Sequence, residues 1–220
     1  MECFIIVTVL WVFTVCLHEF GHALVAYWGG DHTVKEKGYL TMNPLHYTHP
    51  VYSILLPVLF VVMGGIGLPG GAVYIERDRL RSRAWNTWVS LAGPGMQLPV
   101  IFLISLAFKL GWLQNDPESL ASVSLGFLLM LEISSLILNL LPVPPLDGFQ
   151  ALAPWLPRET SERLYASSSN GVMFLFLALW FIKPLNQAFW NTVFTISDWL
   201  GVDPYVGYAG FEAFRFWKHF

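Results

Sequence analysis

The sequence predicts an all-α polytopic membrane protein with about five or six transmembrane helices and a short β or re-entrant segment after the first. Three observations predict it. Of 220 residues, 55% are hydrophobic and only 12% charged, and mean hydropathy is +0.55; a soluble domain carries about a quarter charged residues. Apolar runs recur at or near the roughly 20 residues a transmembrane helix needs. Between them fall helix breakers and charges, such as Gly29-Gly30-Asp31, Asn43-Pro44 and a proline run at 142–145.

The first span is expected over about Glu2 to Trp28. Its start has the apolar look of a signal peptide, but Glu2 stands where a basic residue belongs and no small-residue cleavage site follows. It reads as a retained span. Asp31 to His49 is a polar loop or short strands, and Val51 to Leu68, interrupted by Pro57 and three glycines, either spans or dips in and returns. Further spans are expected over about Ala84 to Leu110 and Leu120 to Leu141. The apolar run Val172 to Ile182 is only about 17 Å as a helix. It must continue through Lys183-Pro184 as a kinked helix to about Ile196, or else fail to cross. The tail to Phe220, rich in Trp and Phe, suits the membrane interface.

Arginines at 77, 79, 81 and 83 and the Arg158/Arg163 loop mark the cytoplasmic side, and the Asp116/Glu118 loop the outside. The arginines read as an anchor at anionic headgroups. With a net charge of −3 and no dense basic run, nucleic acid is not an expected partner. Cys3 and Cys16 would lie roughly 20 Å apart on one helix, too far for a disulfide. Any metal must therefore be held by His and carboxylate.

His18-Glu19-Phe20-Gly21-His22 supplies such groups. Positions i and i+4 stack on one helix face, so both imidazoles can bind one ion, with zinc the default. Glu19 sits beside the first ligand, where it can take a proton from a metal-bound water. In a soluble chain a five-residue pattern also arises by chance. Inside a span, His and Glu each cost a few kcal/mol to bury, which metal ligation offsets. Two histidines leave the ion one ligand short, and the acidic candidates in apolar segments are Glu132 and Asp147. Asp147 is favoured because Pro142, Pro144 and Pro145 must unwind the helix before it. Non-helical backbone at membrane depth is tolerated where it is buried in protein or lines a cavity. The alternative is a helix end at the interface with Asp147 in water. Glu132 is then a polar contact lining the cleft or a partner for a neighbouring helix.

His18-Glu19-x-x-His22 and Asn139-x-x-Pro142-x-Pro144-x-x-Asp147-Gly148, with Ala92-Gly93-Pro94 between, together resemble the site-2 protease family of intramembrane zinc metalloproteases. The likeness covers about residues 14 to 150 and is closest to the compact subgroup without PDZ or CBS domains. It implies one zinc ion held by His18, His22 and Asp147, with Glu19 as general base and Asn139 orienting substrate or stabilising the oxyanion. It also implies substrate contacts at Gly93, Pro94, Gln97, Pro142, Pro144 and Gly148, and a transmembrane protein as substrate within the lipid bilayer. One membrane-embedded domain over 1–220 is expected, with a catalytic core of about 1–150 and a C-terminal helix and interfacial tail of about 151–220. Gln97 stands where the family often has Asn, and Phe149 where it often has a second Gly. A catalytically silent scaffold or chaperone of the same fold is the alternative function, and a small metal transporter a third. The intact Glu19 argues against the first, and the lack of an internal repeat against the second.

Overall fold

The computed structural model describes residues 1–43, 73–166 and 168–219. The expected spanning or re-entrant run Val51 to Leu68 lies outside the described residues, as do His46 and His49. Described elements are helical: α1 (Glu2–Gly29), α2 (Thr33–Glu36), α3 (Arg83–Lys109), α4 (Leu120–Asn139), α5 (Asp147–Leu152), α6 (Arg158–Ala166), α7 (Ser168–Phe181), α8 (Lys183–Trp199) and α9 (Pro204–Phe214). No strand occurs among the described residues.

Three helices, α1, α3 and α4, are each long and apolar enough to cross a membrane, and their bounds match the expected spans to within about two residues. Local chemistry sets those bounds. Gly30 closes α1 in the left-handed region at φ 117°, which a residue with a β-carbon rarely adopts. Ser82 caps α3 by accepting from Trp85 N, and Ser119 caps α4 by accepting from Ser122 N. Central to the bundle is α4, with Phe127, Leu129, Leu131 and Ile133 almost fully buried between α1, α3, α8 and α9.

The C-terminal third departs from the expected kinked helix. The helix stops at Phe181, Ile182 is extended (φ −93°, ψ 91°), and α8 starts afresh at Lys183. Pro184 accounts for the break: with no N–H and a fixed φ, it suits the first turn of a new helix and not the interior of an old one. At 14 and 17 residues, neither α7 nor α8 alone reaches the roughly 20 that a span needs. The aromatic tail, expected at the membrane interface, packs in part into the bundle. In α9, Val206, Gly207, Gly210 and Phe214 are buried against α4, and Phe214 stacks on Phe4 of α1 at 5.0 Å.

Candidate metal centre

On α1, the three-residue gap between His18 and His22 turns both imidazoles to the face that packs on α3 and α4. Both are buried, with ring centroids 4.7 Å apart. The run Leu140–Leu146 leaves the helical path after α4 and returns Asp147, as the first residue of α5, to the same point. His18 Nε2 and His22 Nε2 are 3.0 Å apart, and Asp147 places Oδ2 3.2 Å from His18 Nε2 and Oδ1 3.4 Å from His22 Nε2. Tetrahedral ligation at about 2.0–2.1 Å sets ligand atoms about 3.3 Å from one another. Two imidazoles and one carboxylate at these separations therefore fit a single zinc ion, with the fourth position left for a reactant. Glu132, the other acidic candidate, lies on α4 and is not part of this cluster.

Backbone groups complete the centre. His22 Nδ1 lies 2.6 Å from Val89 O of α3. A carbonyl only accepts, so Nδ1 carries the proton and Nε2 presents its lone pair toward Asp147 and His18. Glu19, 4% exposed, lies beside His22, His18 and Asp147 and accepts a hydrogen bond from Val73 N at Oε2, 3.0 Å away. Val73 opens a short strap without helix or strand, 73–76, that is fastened through Val73 and Glu76. Asp31 Oδ2 accepts from Glu76 N at 2.8 Å, while Asp31 Oδ1 accepts from the amide and hydroxyl of Thr33. Lys37 Nζ donates to Glu76 Oε1 at 2.9 Å. Lys37 first, then Arg79, hold the Glu76 carboxyl below its ordinary pKa. Arg77 donates to Asn86 and Ser90 of α3 and to Gln150 of α5. It is a clamp between strap, α3 and α5, which corrects its reading as a headgroup anchor; Arg79, Arg81 and Arg83 remain exposed.

Curated relatives match along almost the whole chain. A protein of Mycolicibacterium smegmatis named "Putative zinc metalloprotease Rip2" is 44% identical over 217 residues, covering 98% of this chain and 82% of the relative. Its namesake from Mycobacterium tuberculosis is 41% identical over 215 residues, with the same coverage. A Bacillus subtilis protein named "Putative zinc metalloprotease YwhC" is 31% identical over 198 residues, covering 84% of this chain and 82% of the relative. The chain belongs to the site-2 protease family. No family model and no solved structure matches it.

As a site-2 protease family member the protein is a membrane metalloprotease whose cofactor is zinc. The other positions flagged by the family motifs fall in different places. Gly93 abuts the centre: a β-carbon there would lie 2.5 Å from His18 Nε2 and closer still to His22 Nε2. Gly93→Ala is expected to weaken zinc binding by about 10–100-fold, the range of an outer partner's loss. Ala favours helix by about 1 kcal/mol over Gly, so helicity should hold or rise. Zinc affinity by chelator competition, beside circular dichroism, checks this. Pro94 is buried in α3 one residue on. Gln97 points to α4, where its Nε2 donates to Glu132 Oε2 at 3.1 Å and Ser135 Oγ at 3.2 Å. Asn139, buried, donates from Nδ2 to Ser135 Oγ at 3.4 Å. Pro142 is exposed and Pro144 half-buried in the turn before α5, whereas Gly148 is packed against the backbone of Leu140 and Leu141. Phe149, in place of a second glycine, stacks edge-on to Tyr165 of α6 at 5.1 Å.

Sequence reasoning missed the parts played by Val73, Val89 and Asp31. Two act through backbone atoms, which no residue type announces. Asp31-x-Thr33 did carry a signal, a carboxylate placed to fold back on the next two residues.

Proposed function

We propose that the protein hydrolyses peptide bonds of transmembrane or membrane-proximal segments, with its centre nearer the cytoplasmic side of a prokaryotic plasma membrane. The observation that carries this reading is the burial of His18, Glu19 and His22 within a 28-residue apolar helix, against the returning Asp147. A soluble protease has no reason to place its ligands there, given what burying them in a span costs.

In this reading His18, His22 and Asp147 hold the ion. Zinc, when bound, supplies a Lewis acid that polarises the scissile carbonyl and acidifies a water. Glu19 takes the proton of the attacking water at Oε1, the oxygen that Val73 N does not cap, and delivers it to the departing amine. Asn139 donates an amide hydrogen to the developing oxyanion. Gly93 and Pro94 line the approach, Pro142, Pro144 and Gly148 shape the walls around it, and Gln97 stands behind them, bonded to α4. A transmembrane helix hides its carbonyls in its own hydrogen bonds, so substrate must unwind before attack. The strap from Val73, beside Glu19, offers backbone groups for a substrate strand to pair with.

The test is cleavage of a single-span substrate in proteoliposomes. Activity should disappear on chelation, return on adding zinc, and fall when the substrate backbone is N-methylated around the cut. Activity indifferent to chelation overturns the reading, and equal cleavage of the methylated substrate removes strand pairing from it.

A further inference from the structure

Polar side chains beyond the metal centre form a second cluster, buried where α1, α3 and α4 meet. Glu132 of α4 is fully buried and accepts from Gln97 of α3 at 3.1 Å. The same Gln97 amide nitrogen donates to Ser135 Oγ at 3.2 Å, and Ser135 Oγ also accepts from Asn139 Nδ2 at 3.4 Å. Thr14, one turn before His18 on α1, lies against the Glu132 carboxyl. The cluster is an expensive way to hold helices together. A carboxyl, an amide and hydroxyls inside an apolar bundle are costly to desolvate. Nor are they fully repaid: Gln97 Oε1 and Glu132 Oε1 have no hydrogen-bond partner among the described residues. Apolar residues of the same size would pack this junction at least as well.

What the polar chain does supply is a fixed orientation at its end. An asparagine amide on the last residue of a helix is free to rotate, and its N–H groups reach a reaction centre only if something holds the rotamer. Ser135, one turn back, occupies one Nδ2 hydrogen and leaves the other available to a second acceptor. A hydroxyl swings too, and Gln97 fixes it by donating to the same oxygen. Gln97 in turn is anchored by Glu132. Its length matters. Asparagine at 97, one methylene shorter by about 1.5 Å, would not reach Glu132 and Ser135 together. The departure from the family residue at 97 and the carboxyl in the middle of α4 are thus two halves of one device.

We propose that Gln97 and Glu132 are positioning residues that act through Ser135 to hold Asn139 in its substrate-facing orientation. The inference rests on the reading of Asn139 as a donor to the oxyanion. It places neither Gln97 nor Glu132 in contact with substrate.

The experiment measures zinc content, kcat and KM in proteoliposomes for Asn139→Ala, Gln97→Leu, Glu132→Leu and Glu132→Gln, and for Gln97→Leu combined with Asn139→Ala. Asn139→Ala should lower kcat about 100-fold. Gln97→Leu and Glu132→Leu should each lower it about 10-fold with KM and zinc content unchanged. Glu132→Gln keeps an acceptor oxygen and should stay within about 2-fold of wild type. In the double variant Gln97→Leu should cost nothing further, because there is no amide left to orient. A general loss of packing would not vanish in that background. If Asn139→Ala lowers kcat and Gln97→Leu does not, or if their effects multiply, the positioning role is wrong. If Asn139→Ala itself leaves kcat unchanged, the oxyanion reading of Asn139 fails and the inference falls with it.

Discussion

Glu19→Gln is expected to yield a protein that keeps its zinc and its fold but cleaves its substrate at least about 100-fold more slowly. The amide is isosteric with the carboxylate and can still accept the hydrogen bond from Val73 N through its oxygen. The strap is therefore not released. What disappears is the proton acceptor, and a positioned general base contributes about 10²–10⁴-fold to such a reaction. The loss should appear in kcat at constant zinc content, since Glu19 is not one of the three clustered donors. Cleavage rates near wild type in this variant would mean that another group takes the proton. None of the three donors is free to do so while it holds the ion.

Asp147→Ala should act on the metal instead. Wild type purified in detergent is expected to hold close to one zinc per chain by elemental analysis, and the variant far less. Two neutral imidazoles from adjacent turns of one helix make a weak chelate. The third donor closes it and brings the negative charge that offsets the ion's. Its removal should exceed the roughly 10–100-fold penalty typical of an outer partner. Zinc retained at wild-type affinity would show that the ion sits elsewhere. Asp147→Ala also leaves His18 Nε2 and His22 Nε2 facing each other 3.0 Å apart, so repacking at the turn before α5 is expected to accompany the loss.

Much of this centre was legible in the sequence, for physical reasons that differ by residue. His18 and His22 could be paired because helical spacing fixes which side chains share a face. Asp147 could be joined to them, across about 130 residues, only through the proline run that must break the helix before it and through the family resemblance. The spans α1, α3 and α4 were legible because lipid demands long apolar runs and because Gly30, Ser82 and Ser119 punctuate them. Arg77 was misread because its partners Ser90 and Gln150 are brought to it by packing, which charge counting along the chain does not see. Val73 N and Val89 O were invisible, since every residue carries the same backbone groups. Glu132 is legible as a polar group in an apolar run, but its partner Gln97 on α3 is brought to it by packing, which the sequence does not display.

The division of the donors between α1 and α5 bears on how the protein is made. His18, Glu19 and His22 leave the ribosome with the first span, and Asp147 follows about 130 residues later. At roughly 5–20 residues per second, that interval is on the order of ten seconds. Throughout it α1 carries two imidazoles without the carboxylate that completes their donor set. The metal can be captured firmly only after α4 is in place and the turn beyond it has folded back. Loading of zinc is thus expected to be a closing step of biogenesis, after the three donors have been brought together.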